Sequence, residues 1–207
     1  MRIAALIQPP HDARRHAQLV EATMQLDGSC HCGAVRFSLN SRTPYPYQLC
    51  YCSICRKTAG GGGYAINIMG EAATLEVKGR RHLKVYRARL GATGGGRRSL
   101  SSARRHFCGH CGSALWVWDP SWPELVHPFA SAIDTPLPKA PERVHLMLGS
   151  AASWVPIPTG RKETRFEDYP EQSIEDWHKT HELFETEAKT RPNGSGPDAR
   201  RPSRRSR

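Results

Sequence analysis

Long apolar runs are absent from the sequence, and so is any cysteine outside a few tight clusters. None of the 207 residues belongs to a stretch that approaches the ~20 apolar residues needed to cross a bilayer, so we expect no membrane partner. The apolar stretch at residues 3–7 is too short for a secretory signal, which argues against an exported, disulfide-bonded protein. Because free thiols persist in reducing compartments, the cysteines of a chain with no predicted secretory signal indicate the cytoplasm.

Acidic residues are missing from residues 78–105, which contain ten Lys and Arg and no Asp or Glu. A second basic segment, residues 189–207, holds seven Lys and Arg against one Asp. The formal charge of +11 therefore comes from two local segments rather than from a basic fold. No GxGxxG motif follows a predicted strand, so the sequence gives no indication of a dinucleotide site.

Composition divides the chain into three parts. Residues 1–26 form a polar N-terminal extension with a break at Pro9-Pro10, and residues 27–188 form the folded domain. Residues 189–207 have no apolar side chain larger than Ala199 and are predicted to be a disordered basic tail. The tail is either simply solvated or a weak binder of nucleic acid or another polyanion, and it lacks the aromatic residues that would stack on bases.

All seven cysteines occur in closely spaced pairs. Two sulfurs one or two residues apart can share one tetrahedral ion, and two such pairs complete the Cys₄ shell of a structural zinc. Three further thiolates would leave a fourth position open, as catalytic zinc requires. The pairs are Cys30-x-Cys32, Cys50-x-Cys52, Cys52-x-x-Cys55 and Cys108-x-x-Cys111, with Cys52 shared.

Disulfide bonding and redox catalysis fit the cysteines less well than metal binding does. Disulfides would leave one thiol of an odd number unpaired. A thioredoxin-like redox motif normally uses a single CxxC at the start of a helix, whereas here the pairs recur and are flanked by glycine and basic residues. The spacing therefore favours a metal site.

Short β-strands with Gly and Pro between them are predicted for most of the domain, which indicates a mainly β fold of short antiparallel sheets. One C-terminal helix is predicted, capped by Ser173 with Asp176 three residues on, and with Ile174, Trp177, His181 and Phe184 along one face. We expect His178 and His181 to be partly exposed. The predicted strands are residues 33–39, 64–68, 74–77, 82–86, 115–118, 126–130 and 144–148.

Three stretches carry the cysteines: GSCHCGAV from Gly28, CYCSICRK from Cys50 and HFCGHCGS from His106. Together they resemble the signature of the glutathione-dependent formaldehyde-activating enzyme family, which includes centromere protein V. All seven ligand positions match in type and order, and the similarity covers roughly residues 28–154. The resemblance implies the β-tent fold stabilised by zinc.

The resemblance also implies a division of the sulfurs between two zinc ions. Cys30, Cys32, Cys108 and Cys111 would bind a structural zinc, and Cys50, Cys52 and Cys55 a second, catalytic zinc. The same division is reasonable on distance along the chain, because the first set closes a loop of about 78 residues and the second lies within six. The implied reaction joins formaldehyde to glutathione as S-hydroxymethylglutathione, the work of a carbon–sulfur lyase.

Substrate contacts are less evident. Arg56 and Lys57 directly follow the last ligand, so either could meet a carboxylate of the anionic thiol, or be an ordinary surface charge. His145 and Asp134 could act as acid or base, or be a satisfied buried His and a turn Asp. The glycines at 60–63 would allow close backbone approach to a ligand, or form a flexible turn. The tryptophans Trp116, Trp118, Trp122 and Trp154 are interpreted as core or rim packing.

A second function of another class remains open at this stage. Both zinc ions could be structural, with the basic segments binding nucleic acid or another polyanion. A plain zinc-stabilised interaction domain is the third hypothesis.

Overall fold

Short strands dominate the residues that the computed structural model describes, 23–91 and 99–181. The N-terminal extension up to residue 22 and the basic tail lie outside the described residues, so those two predictions stand as predictions. Every predicted strand is present with small shifts at its ends. The strands are β1 (Met24–Ser29), β2 (Arg36–Ser41), β3 (Tyr47–Cys50), β4 (Ala65–Asn67), β5 (Gly70–Glu71), β6 (Glu76–Lys78), β7 (Leu83–Tyr86), β8 (Arg89–Leu90), β9 (Ser99–Leu100), β10 (Arg104–Cys108), β11 (Ala114–Trp118), β12 (Leu125–Pro128), β13 (Arg143–Leu146) and β14 (Glu163–Arg165).

The first strand lies across the boundary that the sequence predicts after residue 26. Strand β1 starts at Met24, and Leu26 is fully buried in the core. Leu26 pairs with Leu39 of β2 in an antiparallel hairpin, so both leucines bury one face of the same pair. The division into extension, domain and tail stays a prediction.

Three main sheets make up the described part of the fold. The first has the order β1-β2-β6, and the second has the order β5-β12-β11-β10-β7; both are antiparallel. The third has the order β14-β13-β3-β4. A small β8-β9 ribbon extends from the second sheet. The mainly β class with short antiparallel sheets is confirmed.

The third sheet departs from the antiparallel expectation. Strand β13 pairs in parallel with β3 on one side and with β14 on the other, whereas β4 pairs with β3 antiparallel. Parallel partners need long crossover connections, and almost 100 residues separate β3 from β13. This arrangement encloses β3, which ends at Cys50, between two neighbours.

Buried side chains form two larger clusters that correspond to the two sets of cysteines. One packs Leu26, Val35, Leu115 and Val126 around Cys30 and Cys108. The other packs Val117, Phe129, Val144 and Leu146 around Cys50 and Cys55. Apolar packing therefore holds the backbone of each set of cysteines in place independently of a bound ion.

Two α-helices are present in the described residues, α1 (Ser53–Ala59) and α2 (Ile174–Thr180). The predicted cap of α2 is confirmed, because the Ser173 Oγ accepts from the Asp176 N–H at 3.0 Å. His178 is buried rather than partly exposed, since its Nε2 donates to the Tyr45 carbonyl at 2.7 Å. His181 is exposed, and Phe184 lies outside the described residues. Neither described helix is long and apolar enough to span a membrane.

Candidate metal centres

Four cysteine sulfurs from two distant hairpins meet at one point. Cys30 and Cys32 lie in the turn between β1 and β2, while Cys108 and Cys111 lie in the turn between β10 and β11. All four Sγ atoms are within 4.8 Å of one another. The Cys30 and Cys32 sulfurs are 3.6 Å apart, and those of Cys32 and Cys108 are 3.8 Å apart. The cluster therefore joins the first sheet to the second.

The two turns of this four-cysteine cluster have the same backbone conformation after the second cysteine. A glycine directly follows the second cysteine in each, and Gly33 and Gly112 have φ values of 72° and 74°. Only glycine adopts this left-handed conformation without strain. The Gly33 N–H donates to the Cys30 carbonyl and the Gly112 N–H donates to the Cys108 carbonyl, both at 2.9 Å. This turn brings both sulfurs of a pair to the same side.

These separations match a tetrahedral zinc shell. Zn–S bonds of about 2.3 Å place neighbouring sulfurs about 3.8 Å apart, whereas a disulfide needs about 2.05 Å. Hydrogen bonds from Ser113, through its hydroxyl and then its backbone N–H, lower the pKa of Cys111 to about 5. Hence Cys111 favours the thiolate form that a metal binds. The donor set fits zinc, and the disulfide alternative does not fit the geometry.

The remaining three cysteines form a second cluster at the end of β3. Cys50 is the last residue of that strand, Cys52 caps α1, and Cys55 lies in its first turn. The three Sγ atoms lie within 4.8 Å of one another. The Cys55 N–H donates to the Cys52 Sγ at 3.3 Å. Cys50 and Cys55 are buried and Cys52 is partly exposed, so the cluster is open on the Cys52 side.

Hydrogen bonds among the thiols of this three-cysteine cluster shift their pKa values in opposite directions. Hydrogen bonds from Cys50 and then Cys55 lower the pKa of Cys52. Hydrogen bonding to Cys52 and Cys55, and then burial, raise the pKa of Cys50. Cys52 is thus the thiol of this cluster whose surroundings most favour the thiolate form. A divalent cation would allow all three to be thiolates, so this donor set also fits a metal.

A cavity of about 320 Å³ opens beside the three-cysteine cluster. Phe129 lines it and also packs against Cys50 and Cys55, so cavity and cluster share a wall. Thr58, one residue short of the end of α1, lines it from the helix that carries Cys55. The volume lies within the range of small-molecule pockets. The lining residues are Thr58, Tyr86, Arg105, His106, Phe107, Gly112, Ala114 and Phe129.

The two basic residues that follow Cys55 on helix α1 differ in exposure. Lys57 is exposed, while Arg56 is partly buried and its Nε has no hydrogen-bond partner among the described residues. Neither side chain is among those that line the cavity. The prediction that Arg56 or Lys57 contacts substrate therefore stays a prediction.

Arg105, which the sequence did not single out, lines the cavity and acts on the cluster. The pKa of Cys55 is raised: its hydrogen bond with Cys50 favours the thiolate, but the hydrogen bond with Cys52 and burial outweigh that effect. Arg105 is the cation that opposes the rise. Among ten basic residues in an acid-free segment, nothing in the sequence marks this one.

His145 is a satisfied core histidine. It is fully buried, with its Nδ1 2.8 Å from the Tyr51 hydroxyl and its Nε2 2.6 Å from a Glu163 carboxylate oxygen. Tyr51 lies between two ligand cysteines, so this chain of hydrogen bonds ties the cluster's loop to β13 and β14. Asp134 is exposed and lies outside the strands and helices, and its N–H donates to the Asp27 carbonyl at 2.8 Å. Neither His145 nor Asp134 lines the cavity beside the cluster.

The glycine run and the tryptophans are explained by local packing. A Cβ on Gly63 would lie 2.2 Å from a Val155 methyl, and Gly63 has a φ of 95°. The run therefore makes the tight turn between α1 and β4. Trp116 is buried, and its ring packs against Phe37. Trp118 and Trp122 are partly buried, whereas Trp154 is 63% exposed and does not fit the packing interpretation.

Comparison with known proteins identifies the family of this chain. The family model for the glutathione-dependent formaldehyde-activating enzyme matches residues 25–148. A Halomonas elongata protein named "Putative glutathione-dependent formaldehyde-activating enzyme" is 58% identical over 155 residues, covering 75% of this chain and 95% of that protein. A crystal structure of a Rhodobacter sphaeroides protein aligns with a TM-score of 0.42 and 26% identity, covering 56% of this chain and 92% of the other. On the family model and the Halomonas relative, the chain belongs to the glutathione-dependent formaldehyde-activating enzyme family.

Proposed function

We propose that this protein joins a small thiol, glutathione or a close relative, to formaldehyde or a similar small aldehyde. The observation that carries the proposal is the three-cysteine cluster, which is open on one side and shares a wall with a cavity. Membership of the formaldehyde-activating family and the name of the Halomonas relative support the choice of reactants. The β-tent arrangement is part of the same proposal.

The two clusters take different roles in this proposal. The four-cysteine cluster holds a structural zinc, because four sulfurs complete its shell and join two sheets. The three-cysteine cluster holds a catalytic zinc through Cys50, Cys52 and Cys55, because three ligands leave one position for a substrate sulfur. Free thiolate ligands suit a reducing compartment such as the cytoplasm.

The reaction is an addition that needs no oxidant or reductant. A new S–C bond forms between the thiol and the aldehyde carbon, the C=O double bond becomes a single bond, and the proton passes from sulfur to oxygen. The reverse reaction breaks a carbon–sulfur bond, which is why the enzyme would be classed as a carbon–sulfur lyase. A bound zinc supplies the positive charge that stabilises a thiolate at neutral pH.

The chain's own residues position the reactants and limit access of water. Cys50 and Cys55 are held in apolar packing with Phe129, which keeps water from that side of the cluster. Cys52, partly exposed, lies on the side from which a substrate can approach. Holding thiol and aldehyde together in such a site removes much of the entropic cost of their encounter.

Cobalt substitution tests this proposal directly. Cobalt bound by the three-cysteine cluster should change its visible absorption when glutathione adds a fourth sulfur, and the change should be absent in Cys52→Ser. Nuclear magnetic resonance with ¹³C-formaldehyde should then show faster formation of the hydroxymethyl thioether with the zinc protein than without it. A spectrum that does not respond to any thiol would contradict the proposal.

Polyanion binding is a second candidate, favoured by one specific surface. Arg80, Arg81, Lys84, Arg87 and Arg89 are all exposed near strand β7, and among the described residues none of them forms an ion pair. DNA affinity that falls steeply with salt, and is weakened by Arg80→Gln and Arg81→Gln, would support this candidate. Affinity that does not change with salt would contradict it.

A further inference from the structure

The cavity beside the three-cysteine cluster is lined by Arg105, whose guanidinium has no partner among the described residues. Arg105 lies in β10, and its Nε and Nη1 atoms are both buried without a hydrogen bond in the part of the chain that the structure describes. Among the described residues, no carboxylate forms an ion pair with it. Leaving a buried cation unpaired is costly, so native structures rarely do so without a reason.

The neighbouring carboxylate does not supply the missing partner. Asp119 is buried near Arg105, but its Oδ2 accepts from the Ser102 hydroxyl at 2.6 Å. Its Oδ1 accepts from the Ser121 N–H and hydroxyl at 2.9 and 2.7 Å. Asp119 is thus held by its own serines, and it does not satisfy the Nε and Nη1 donors of Arg105.

The local backbone explains why three consecutive residues of β10 line this cavity. The register between β10 and β11 shifts between His106 and Phe107. Such a bulge redirects side chains, so residues 105, 106 and 107 can all line the cavity although they are consecutive in a strand. The rest of the lining is mainly apolar, and Arg105 is the only charged side chain among the described residues that line the cavity.

The position of the cavity indicates what would bind there. Phe129 lines the cavity and packs in one apolar cluster with Cys50 and Cys55, and Thr58 lines it from the cysteine-bearing helix. Arg105 is also close enough to Cys55 to oppose the rise in the pKa of that thiol, so a ligand whose sulfur is bound at the cluster can extend an acidic group to Arg105. Guanidinium groups bind carboxylates with two parallel hydrogen bonds, a geometry that lysine cannot reproduce.

We infer that Arg105 is the anion anchor of the substrate site and selects thiols that carry a carboxylate, such as glutathione, over uncharged thiols. This inference rests on the proposed function, since it presumes that a thiol substrate reaches the three-cysteine cluster. It assigns charge recognition to a residue that lies 49 positions after Arg56, on strand β10 rather than on helix α1. Arg105 is a specificity residue in this account, and the sulfur chemistry stays with the cysteines.

Binding of S-methylglutathione to the zinc-loaded, full-length protein tests the inference apart from catalysis. This thioether keeps both carboxylates of glutathione but has no thiol to ionise. Calorimetry should show that Arg105→Gln weakens its binding roughly 10- to 100-fold, the loss expected for charge-assisted hydrogen bonds. Arg105→Lys should give an intermediate loss, because it keeps the charge without the fork.

Two comparisons make the result specific. Arg104→Gln removes the same charge from the adjacent residue, whose guanidinium lies 5.0 Å from the Trp118 ring, and should leave binding within twofold. The diethyl ester of S-methylglutathione should bind the wild type and Arg105→Gln equally weakly. Zinc content and circular dichroism confirm that each variant is folded.

The inference is overturned if Arg105→Gln binds S-methylglutathione as the wild type does, or if the folded wild type does not bind it. Failure of the proposed function is a separate result: glutathione would then leave the spectrum of the cobalt protein unchanged whatever S-methylglutathione does. If the wild type binds S-methylglutathione through Arg105 but the cobalt spectrum does not respond to glutathione, the assignment of Arg105 as anion anchor stands. The catalytic role of the three-cysteine cluster is then contradicted.

Discussion

The sulfurs of Cys32 and Cys108 lie 3.8 Å apart although 76 residues separate them in the chain. Cys32 belongs to the β1-β2 turn of the first sheet, and Cys108 ends β10 in the second. A metal shared by them joins two sheets that no strand pairing connects within the described residues. The three-cysteine cluster, by contrast, lies within one loop of the third sheet.

Loss of the ion at the four-cysteine cluster should therefore unfold the protein. Structural zinc contributes about 10 to 16 kcal/mol in small peptides, which is comparable with the whole stability of a typical domain at ~5 to 15 kcal/mol. We expect Cys108→Ser, or a strong chelator, to abolish the cooperative thermal transition seen by circular dichroism. An unchanged melting curve after measured loss of this ion would contradict the assignment.

The hydrogen bond between Tyr51 and His145 should contribute measurably to stability. Tyr51→Phe removes a hydroxyl that lies 2.8 Å from the buried Nδ1 and leaves that nitrogen unpaired. An unpaired buried polar group costs about 1 to 3 kcal/mol, which urea unfolding would detect. Tyr64→Phe is the matched control, because the Tyr64 ring packs on Tyr51 at 5.1 Å but its hydroxyl makes no hydrogen bond among the described residues. Equal effects of the two substitutions would argue against the network.

His127 should make stability fall with acid. Complete burial lowers its pKa to about 4, against an ordinary value near 6.5, and its Nδ1 donates to the Ile68 carbonyl at 3.2 Å. Below pH 6.5 His127 binds a proton in the unfolded chain but not in the folded one, so stability is lost as pH falls towards 4. Between pH 7 and 5 this linkage is worth about 2 kcal/mol.

A non-titrating variant isolates that effect from acid release of metal. Asn can place an amide N–H where the His127 Nδ1–H lies, so His127→Asn should keep the bond to Ile68 without titrating. The free energy of unfolding of the wild type should then fall by about 2 kcal/mol more than that of the variant between pH 7 and 5. Parallel pH profiles would show that His127 does not titrate on unfolding.

The glycine turn after α1 should tolerate alanine at one position and not at another. Gly63→Ala adds a Cβ 2.2 Å from a Val155 methyl at a φ of 95°, whereas Gly61→Ala meets nothing within 4 Å. Strain and overpacking each cost about 1 to 3 kcal/mol, so Gly63→Ala should lower stability by at least 1 kcal/mol. Gly61→Ala should be near neutral. Similar stabilities of the two variants would refute this account of the turn.

The sequence could predict the cysteine clusters because paired spacing is a local property. Cys30 and Cys32, or Cys108 and Cys111, need only a tight turn to point two sulfurs at one ion, and the glycine after each pair is visible in the sequence. Period-two alternation likewise located the strands that are buried on one face. The capped helix at Ser173 followed from equally local signals.

What the sequence could not predict depends on contacts between distant residues. The parallel pairing of β3 with β13 joins Cys50 to Leu146, and no local pattern encodes it. Burial of His178 depends on Tyr45, which lies 133 positions earlier in the chain. Arg105 differs from its basic neighbours because it lines the cavity and its charge acts on Cys55, and no local pattern encodes either relationship.

Metal content is the most direct test of the central claim, that the two clusters hold two ions with different roles. Metal analysis should find two zinc ions per wild-type chain and one per Cys52→Ser chain. Circular dichroism should show the fold retained in that variant, because the four-cysteine cluster still joins the first two sheets. One zinc in both proteins, or loss of the fold together with the second zinc, would contradict the account.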